Sequence, residues 1–241
     1  MKVLVTFDID NTLIGHAKGG YGQNKAVNQA ALELFGIDQD IRKYIGTSFA
    51  GTTDYWIGQE IIKRICPNAE NMEELTQKFL QLEAKYFKMY DSENFEVLPG
   101  VCHLLEHLVQ LPNVEIALCT GNLEEIAWCK MESVGIKKYF TKKYGGFGEI
   151  CERENVLKKA IESAENGEKT HFDRFVHIGD ALQDEKAARN VGAVPICVET
   201  GHSKYEDFDG PCFVVKNLEE GFDDVVSIIT TGKAINKSVE K

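Results

Sequence analysis

Short apolar runs alternate along most of this chain with stretches whose apolar residues recur every three or four positions, and that alternation limits the fold more than any other feature. The runs Val3–Phe7, Val114–Cys119, Phe175–Ile178, Val194–Val198 and Phe213–Val215 read as buried strands. Val101–Gln110, Leu123–Ser133, Asn155–Glu165, Ala181–Val191 and Leu218–Thr230 read as the helices that separate them. Strands that each return through a helix lie parallel, with helices on both faces. The expected class is therefore α/β with a doubly wound parallel sheet. The run Lys138–Phe140 is ambiguous and could add a short strand.

One region breaks the rhythm. Between Tyr21 and Tyr90 no strand pattern is visible, and the stretches 24–36, 53–66 and 72–90 carry apolar residues at helical spacing. Asn24 and Thr53 suit N-cap positions, and Gly36 suits the position just past a helix end. The chain has 241 residues, 43% of them hydrophobic, enough for one large core and a smaller insert. The expected division is a Rossmann-like core at 1–15 and 98–232, an all-helical cap domain at 16–97, and a frayed polar tail at 233–241. The insert would be entered through 17–22 and left near Pro99-Gly100.

The formal charge of −11, from 38 acidic and 27 basic residues, argues against a nucleic-acid partner or an anionic membrane surface. No apolar run approaches the ~18 residues of a membrane span, and the first strand starts too early to leave room for a secretion signal. Seven dispersed cysteines with no CxxC pair fit reduced thiols and a cytoplasmic protein, not a disulfide framework or zinc site.

Ligands of open parallel sheets gather beyond the carboxyl ends of the strands. The first strand is followed by Asp8 and Asp10, the second by Thr120, Gly121 and Asn122, and the third by Asp180 and Asp184. Like charges at the end of a buried strand are costly unless something neutralises them. A hard divalent cation does so, and magnesium (Mg2+) suits a few carboxylates with positions left for water or phosphate oxygens. The Thr120 hydroxyl and the Gly121 and Asn122 amides, ahead of a helix, suit an anion. Metal, anion cradle and a spare carboxylate together describe phosphoryl transfer, with one aspartate attacking phosphorus and another exchanging a proton.

"FDIDNTL", "LCTGN" and "HIGDALQDEKAARNVGA" resemble the first, second and fourth motifs of the haloacid dehalogenase-like hydrolase superfamily, and "VLPGVCHLLEHL" is similar to its helix after the cap. The helical insert resembles the C1 type of cap, and the nearest subgroup looks like the phosphoglycolate phosphatase-like proteins. The resemblance implies a phosphatase acting on a small phosphorylated metabolite, of phosphoglycolate or sugar or nucleotide monophosphate type. It implies Asp8 as nucleophile, Asp10 as general acid/base, Thr120 as phosphoryl ligand, and Asp180 with Asp8 and the Asp10 main-chain carbonyl as magnesium ligands. Asp184 would support the metal or its water. The family's third-motif lysine has no counterpart followed by proline here, and Arg153 is the candidate cation, able to bind phosphate bidentately. Alternatives are a β-phosphoglucomutase-like phosphomutase and a non-catalytic protein that accepts a phosphoryl group. A monomer or homodimer is expected.

His16, Lys18 and the 47–54 loop are candidates for the cleft wall. "HLLEH" at 103–107 places both histidines away from the apolar stripe with no third ligand, so it is not read as zinc binding. "YGGFG" lacks dinucleotide-fingerprint spacing and reads as a loop. Trp56, Tyr86, Phe87 and Tyr90, at helical spacing, read as cap packing.

Overall fold

The computed structural model describes residues 1–16, 22–46, 51–90 and 95–241. The chain runs β1 (Val3–Phe7), β2 (Ile14–His16), α1 (Gly22–Phe35), α2 (Ile41–Ile45), α3 (Asp54–Ile65), α4 (Met72–Met89), β3 (Phe95–Val97), α5 (Val101–Leu108) and β4 (Val114–Cys119). It continues through α6 (Glu124–Ser133), β5 (Gly145–Gly146), α7 (Arg153–Glu168), β6 (Arg174–Gly179), α8 (Leu182–Asn190), β7 (Val194–Val198), β8 (Phe213–Val215) and α9 (Phe222–Thr231).

Six strands form one parallel sheet in the order β5-β4-β1-β6-β7-β8. All five residues of β1 are buried, as expected of a central strand covered on both faces. After β1 the chain adds β4 and β5 on one side, then crosses to add β6, β7 and β8 on the other. The order therefore reverses at β1, and the crevice beyond its carboxyl end is where such sheets bind ligands. Phe7 sits level with Leu118 of β4 and Ile178 of β6, so the residues following these three strands emerge side by side.

The helical insert, α1 to α4, lies between β2 and β3. These two short strands pair antiparallel, Ile14 opposite Val97 and His16 opposite Phe95, so the outgoing and returning connections run together. The insert has its own apolar core, with Ala26, Ala30, Ile57, Ile61, Phe79 and Leu80, and this continues into Leu123 and Ile126 beside α6. Thr53 caps α3 by accepting the Trp56 amide at 3.1 Å. Gly36 follows α1 with φ 69°. Asn24, by contrast, lies inside α1, which begins at Gly22, because the helix extends further toward the N-terminus than the apolar pattern does.

Two other elements differ from expectation. Lys137–Tyr139 form a turn of 3-10 helix, and the edge strand lies instead at Gly145–Gly146, inside the stretch read as a loop. Two glycines carry no side-chain pattern to betray a strand. A Cβ on Gly146 would sit 1.9 Å from the Val156 carbonyl of α7, so only glycine lets that helix lie so close. The tail is also held. Asp224 accepts the amides of Ile235 and Asn236 at 2.8 and 2.7 Å, and Cys212 and Lys241 exchange backbone hydrogen bonds. Polar composition suggested fraying at 233–241, but a buried carboxylate on α9 gives that backbone its partners.

None of the seven cysteines forms a disulfide. Among the described residues no helix is long and apolar enough to cross a membrane. His103 and His107 pack against the Phe222 ring, at 4.1 and 5.6 Å between centroids.

Candidate active site

The Asp8 amide donates to the Ile178 carbonyl at 2.9 Å, which carries the sheet ladder one residue past β1 and sets the Asp8 side chain at the carboxyl edge. Asp180 follows β6 directly. Asp184 lies in the first turn of α8 and accepts the Ala181 amide at 3.1 Å, a position where the helix dipole favours an anion. One carboxylate oxygen from each of Asp8, Asp180 and Asp184 lies within 4.8 Å of the others, and all three residues are buried.

Arg153, the first residue of α7, reaches into this cluster. Its Nη2 donates to Asp8 Oδ1 at 2.6 Å and to the Cys119 carbonyl at 3.1 Å, while Nε donates to Asp184 Oδ1 at 2.8 Å. Beneath Asp184, His177 Nε2 lies 3.3 Å from Oδ1, and its Nδ1 lies 2.9 Å from the Thr6 hydroxyl.

One guanidinium does not balance three buried carboxylates. Burial pushes Asp8 up to about 6, with Arg153 opposing and Asp184 and Asp10 adding to the rise. Burial, followed by the charges of Asp8, Asp184 and Asp10, pushes Asp180 up to about 8. Burial would raise Asp184 too, but Arg153 and His177 outweigh it and hold its carboxyl well below the usual carboxylate range. The cluster thus has excess negative charge in a dry place, with all donor atoms hard oxygens, which fits a magnesium-like cation.

Asp10 belongs to a different set of partners. Its Oδ2 accepts Asn122 Nδ2 at 2.6 Å, and Lys130 Nζ donates to Oδ1 and Oδ2 at 2.9 and 2.8 Å. Burial alone would raise its carboxyl, but Lys130 and the Asn122 hydrogen bond outweigh that and hold it below the ordinary value. His16 Nε2 stands 4.0 Å from Oδ1.

Thr120 is fully buried, and its hydroxyl oxygen accepts Asn122 Nδ2 at 2.9 Å and the Asn122 amide at 3.3 Å. The helix that was to offer amides to an anion starts later than expected, at Glu124. The Leu123 amide goes to Asp54 Oδ2 and the Glu124 amide to Glu149 Oε1, both at 2.8 Å. Asn122 therefore serves through its side chain, bridging Thr120 and Asp10, with its amide turned to the Thr120 hydroxyl. Gly121 faces the insert. A Cβ there would meet the Thr52 carbonyl at 2.0 Å. Gly201 likewise admits Asp180, whose Oδ2 would lie 1.8 Å from a Cβ.

The insert is seated against this edge. The Asp54 amide donates to the Gly121 carbonyl at 2.8 Å, the Tyr55 amide to the Gly148 carbonyl at 2.9 Å, and the Thr53 hydroxyl to the Cys151 carbonyl at 3.1 Å. Lys18 and residues 47–50 lie outside the described residues.

Sequence reasoning missed Lys130, Gln23 and Glu83, and reached Asp54 only as the end of the 47–54 loop. A signal for two of them exists. Lys130 sits in the apolar stripe Ile126, Ala127, Met131 of α6, and Glu83 in the stripe Phe79, Leu80, Phe87 of α4. A charge in the middle of an apolar stripe has to be paired or functional. Glu83 Oε2 is buried and has no hydrogen-bond partner among the described residues.

A sequence profile described as haloacid dehalogenase-like hydrolase matches residues 3–192. No curated protein matches the chain. Among solved structures, a hydrolase from Pseudomonas syringae is 17% identical with a TM-score of 0.68, covering 95% of this chain and 100% of its own. A predicted phosphatase from Clostridium acetobutylicum is 21% identical with a TM-score of 0.67, covering 94% and 98%. CbbY from Rhodobacter sphaeroides, solved with phosphate, is 16% identical with a TM-score of 0.61, covering 92% and 96%. At these identities the likeness is one of fold.

Proposed function

This chain belongs to the haloacid dehalogenase-like hydrolase family, and from that premise we propose that it is a magnesium-dependent phosphatase of small phosphorylated metabolites, working through an aspartyl-phosphate at Asp8. The observation that carries this reading is the division of labour between Asp8 and Asp10. Asp8 lies in a buried carboxylate cluster suited to a divalent cation, and Asp10 is held apart from that cluster by Lys130 and Asn122.

Asp8, Asp180 and Asp184 would hold the cation, with the Asp10 carbonyl as a further ligand, and when bound it would neutralise charge on the phosphoryl oxygens. Asp8 attacks phosphorus, the ester oxygen leaves, and Asp10 gives that oxygen a proton. Water then attacks the aspartyl-phosphate, and the bond between Asp8 and phosphorus breaks to free Asp8 and phosphate. The proton from the water passes to Asp10 and leaves with the phosphate, which returns Asp10 to its free form. The free site holds Asp10 ionised. Its proton enters with the substrate, since the second ionisation of a phosphate monoester lies near about pH 6. Thr120, with its hydroxyl at the carboxyl edge, binds a phosphoryl oxygen, and Arg153 orients Asp8 and supplies positive charge beside it.

Residues 16–97 would act as a C1-type cap that excludes water and selects the substrate, with His16 and the start of α3 at the mouth. The phosphoglycolate phosphatase-like subgroup fits this arrangement. CbbY has been solved with phosphate and with xylulose-(1,5)-bisphosphate, which supports a phosphorylated small molecule as substrate. The test is a screen of phosphorylated metabolites with purified protein and Mg2+, reading both free phosphate and isomeric products. Sustained, magnesium-dependent phosphate release is expected. Isomer formation without release would replace the reading by a mutase, and no turnover of any ester would overturn it.

A further inference from the structure

Resting on that reading, we propose that Lys130 is the positioning residue for Asp10 and that Gln23 of the insert directs Lys130. The ammonium has no solvent exposure, yet it is a strongly hydrated group that a core accepts only with every donor used. Its Nζ lies 2.8–2.9 Å from Asp10 Oδ1 and Oδ2, 2.8 Å from Gln23 Oε1 and 2.8 Å from Asn122 Oδ1. Three N–H bonds serve these acceptors: one shared by the two Asp10 oxygens, one for Gln23, one for Asn122. Contact with both oxygens fixes the rotation of the carboxylate plane as well as its place. Asn122 Nδ2 on Oδ2 completes the clamp.

The direction of Gln23 is itself determined. Its amide nitrogen donates to Asp54 Oδ1 at 3.0 Å and to Glu83 Oε1 at 3.4 Å, so its oxygen has to face the lysine. Asp54 belongs to α3, Glu83 to α4 and Gln23 to α1, so three helices of the insert converge on one amide. The rings of Phe87 and Phe95, from α4 and β3, lie 5.9 and 5.6 Å from Nζ and close the pocket around it. Lys130 enters from the core helix α6. Asp10, at 28% side-chain exposure, keeps an open face while its cation is wholly enclosed. A lysine serving only to neutralise a buried acid would need neither both oxygens nor an acceptor from the insert.

The experiment compares two esters of similar shape whose leaving groups differ in their need for a proton. These are p-nitrophenyl phosphate, which needs little help, and p-nitrobenzyl phosphate, whose alkoxide has to be protonated. In the Lys130→Met enzyme with Mg2+, kcat/KM for the benzyl ester should fall by ~10²-fold, the lower range of general-acid catalysis. The value for the phenyl ester should fall far less. Adding Lys130→Met to Asp10→Asn should produce no further selective loss, because both changes remove one function. Equal losses on both esters would make Lys130 merely structural and overturn the proposal. Gln23→Ala, at a half-buried position, keeps the question answerable if Lys130→Met does not fold. It should show the same selectivity at smaller size, and an unselective Gln23→Ala enzyme would remove the directing role. A wild-type protein that cleaves neither ester would instead overturn the phosphatase reading itself.

Discussion

Asp8 and Asp10 are separated by one residue, but each is held by a cation from a different part of the molecule. Arg153 comes from α7, and all its partners (Asp8, Asp184 and the Cys119 carbonyl) belong to the sheet edge of the core. Lys130 comes from α6, and it joins Asp10 and Asn122 of the core to Gln23 of the insert. The choice of cation follows the task. A flat guanidinium spans two carboxylates in a fixed plane, whereas an ammonium radiates three donors toward groups on different elements. Asp8, the proposed nucleophile, is thus held by the core alone, and Asp10, the proposed proton carrier, is tied to the insert.

The contrast can be broken at the nucleophile first. Asp8→Asn should lose about 10⁴-fold or more in kcat, as when other covalent nucleophiles are removed. Its folded state should persist, because the amide still accepts from Arg153. Phosphate release from the best ester of the screen, read beside a circular-dichroism melt, checks both statements. Substantial residual turnover would move the nucleophile elsewhere.

Arg153→Ala should cost about 10²–10³-fold in kcat, the size associated with losing one fixed donor near developing charge. If the two cations are separate devices, its losses should be alike on phenyl and benzyl esters, unlike those of Lys130→Met. Arg153→Lys should recover only part, since one ammonium cannot reproduce the fork between Asp8 and Asp184.

The smallest effect concerns pH. Folded-state values of about 6 for Asp8 and about 8 for Asp180 lie above the ordinary 3.8. Without metal, the stability these two carboxyls contribute is present in acid and lost as pH rises through those values. Mg2+ requires them ionised, so its stabilisation should grow over the same interval. At ~100 times Kd, about 2.7 kcal/mol of linkage is available, a rise of roughly 5–10 °C in Tm for a chain of this size. Thermal melts with and without Mg2+ should show this near about pH 8 and almost none near about pH 5. A shift independent of pH would mean the cation binds elsewhere.

The architecture was legible because the buried strands announce themselves. Five apolar runs gave five of the six strands in register with helices, and an absence of strand pattern marked the insert. Of the parallel sheet, the strand that escaped, Gly145–Gly146, has no side chains to pattern, and the three-residue β2 and β3 are too short to show a pattern. Within the site, Asp8, Asp180 and Asp184 could be gathered because each follows a strand or opens a helix, places where short-range rules apply, whereas Arg153 came only from the resemblance to the family's third motif. Lys130 and Gln23 meet across 107 positions of sequence, and no local rule pairs an α6 lysine with an α1 amide. Thr120 and Asn122 were placed at the right edge, but which atom of Asn122 would be used depended on where α6 begins. That start is set by Asp54 and Glu149 taking the Leu123 and Glu124 amides.

The hydrogen bonds between Cys212 and Lys241, continued by the antiparallel bridge of Glu240 to Phe213, have a consequence for the molecule's dealings with its neighbours. β8 is the last strand of the sheet, and a bare outer strand offers its unpaired amides to any passing chain. Here residues 240 and 241 of the same chain take up the edge at Cys212 and Phe213, which withholds those groups from pairing with another chain.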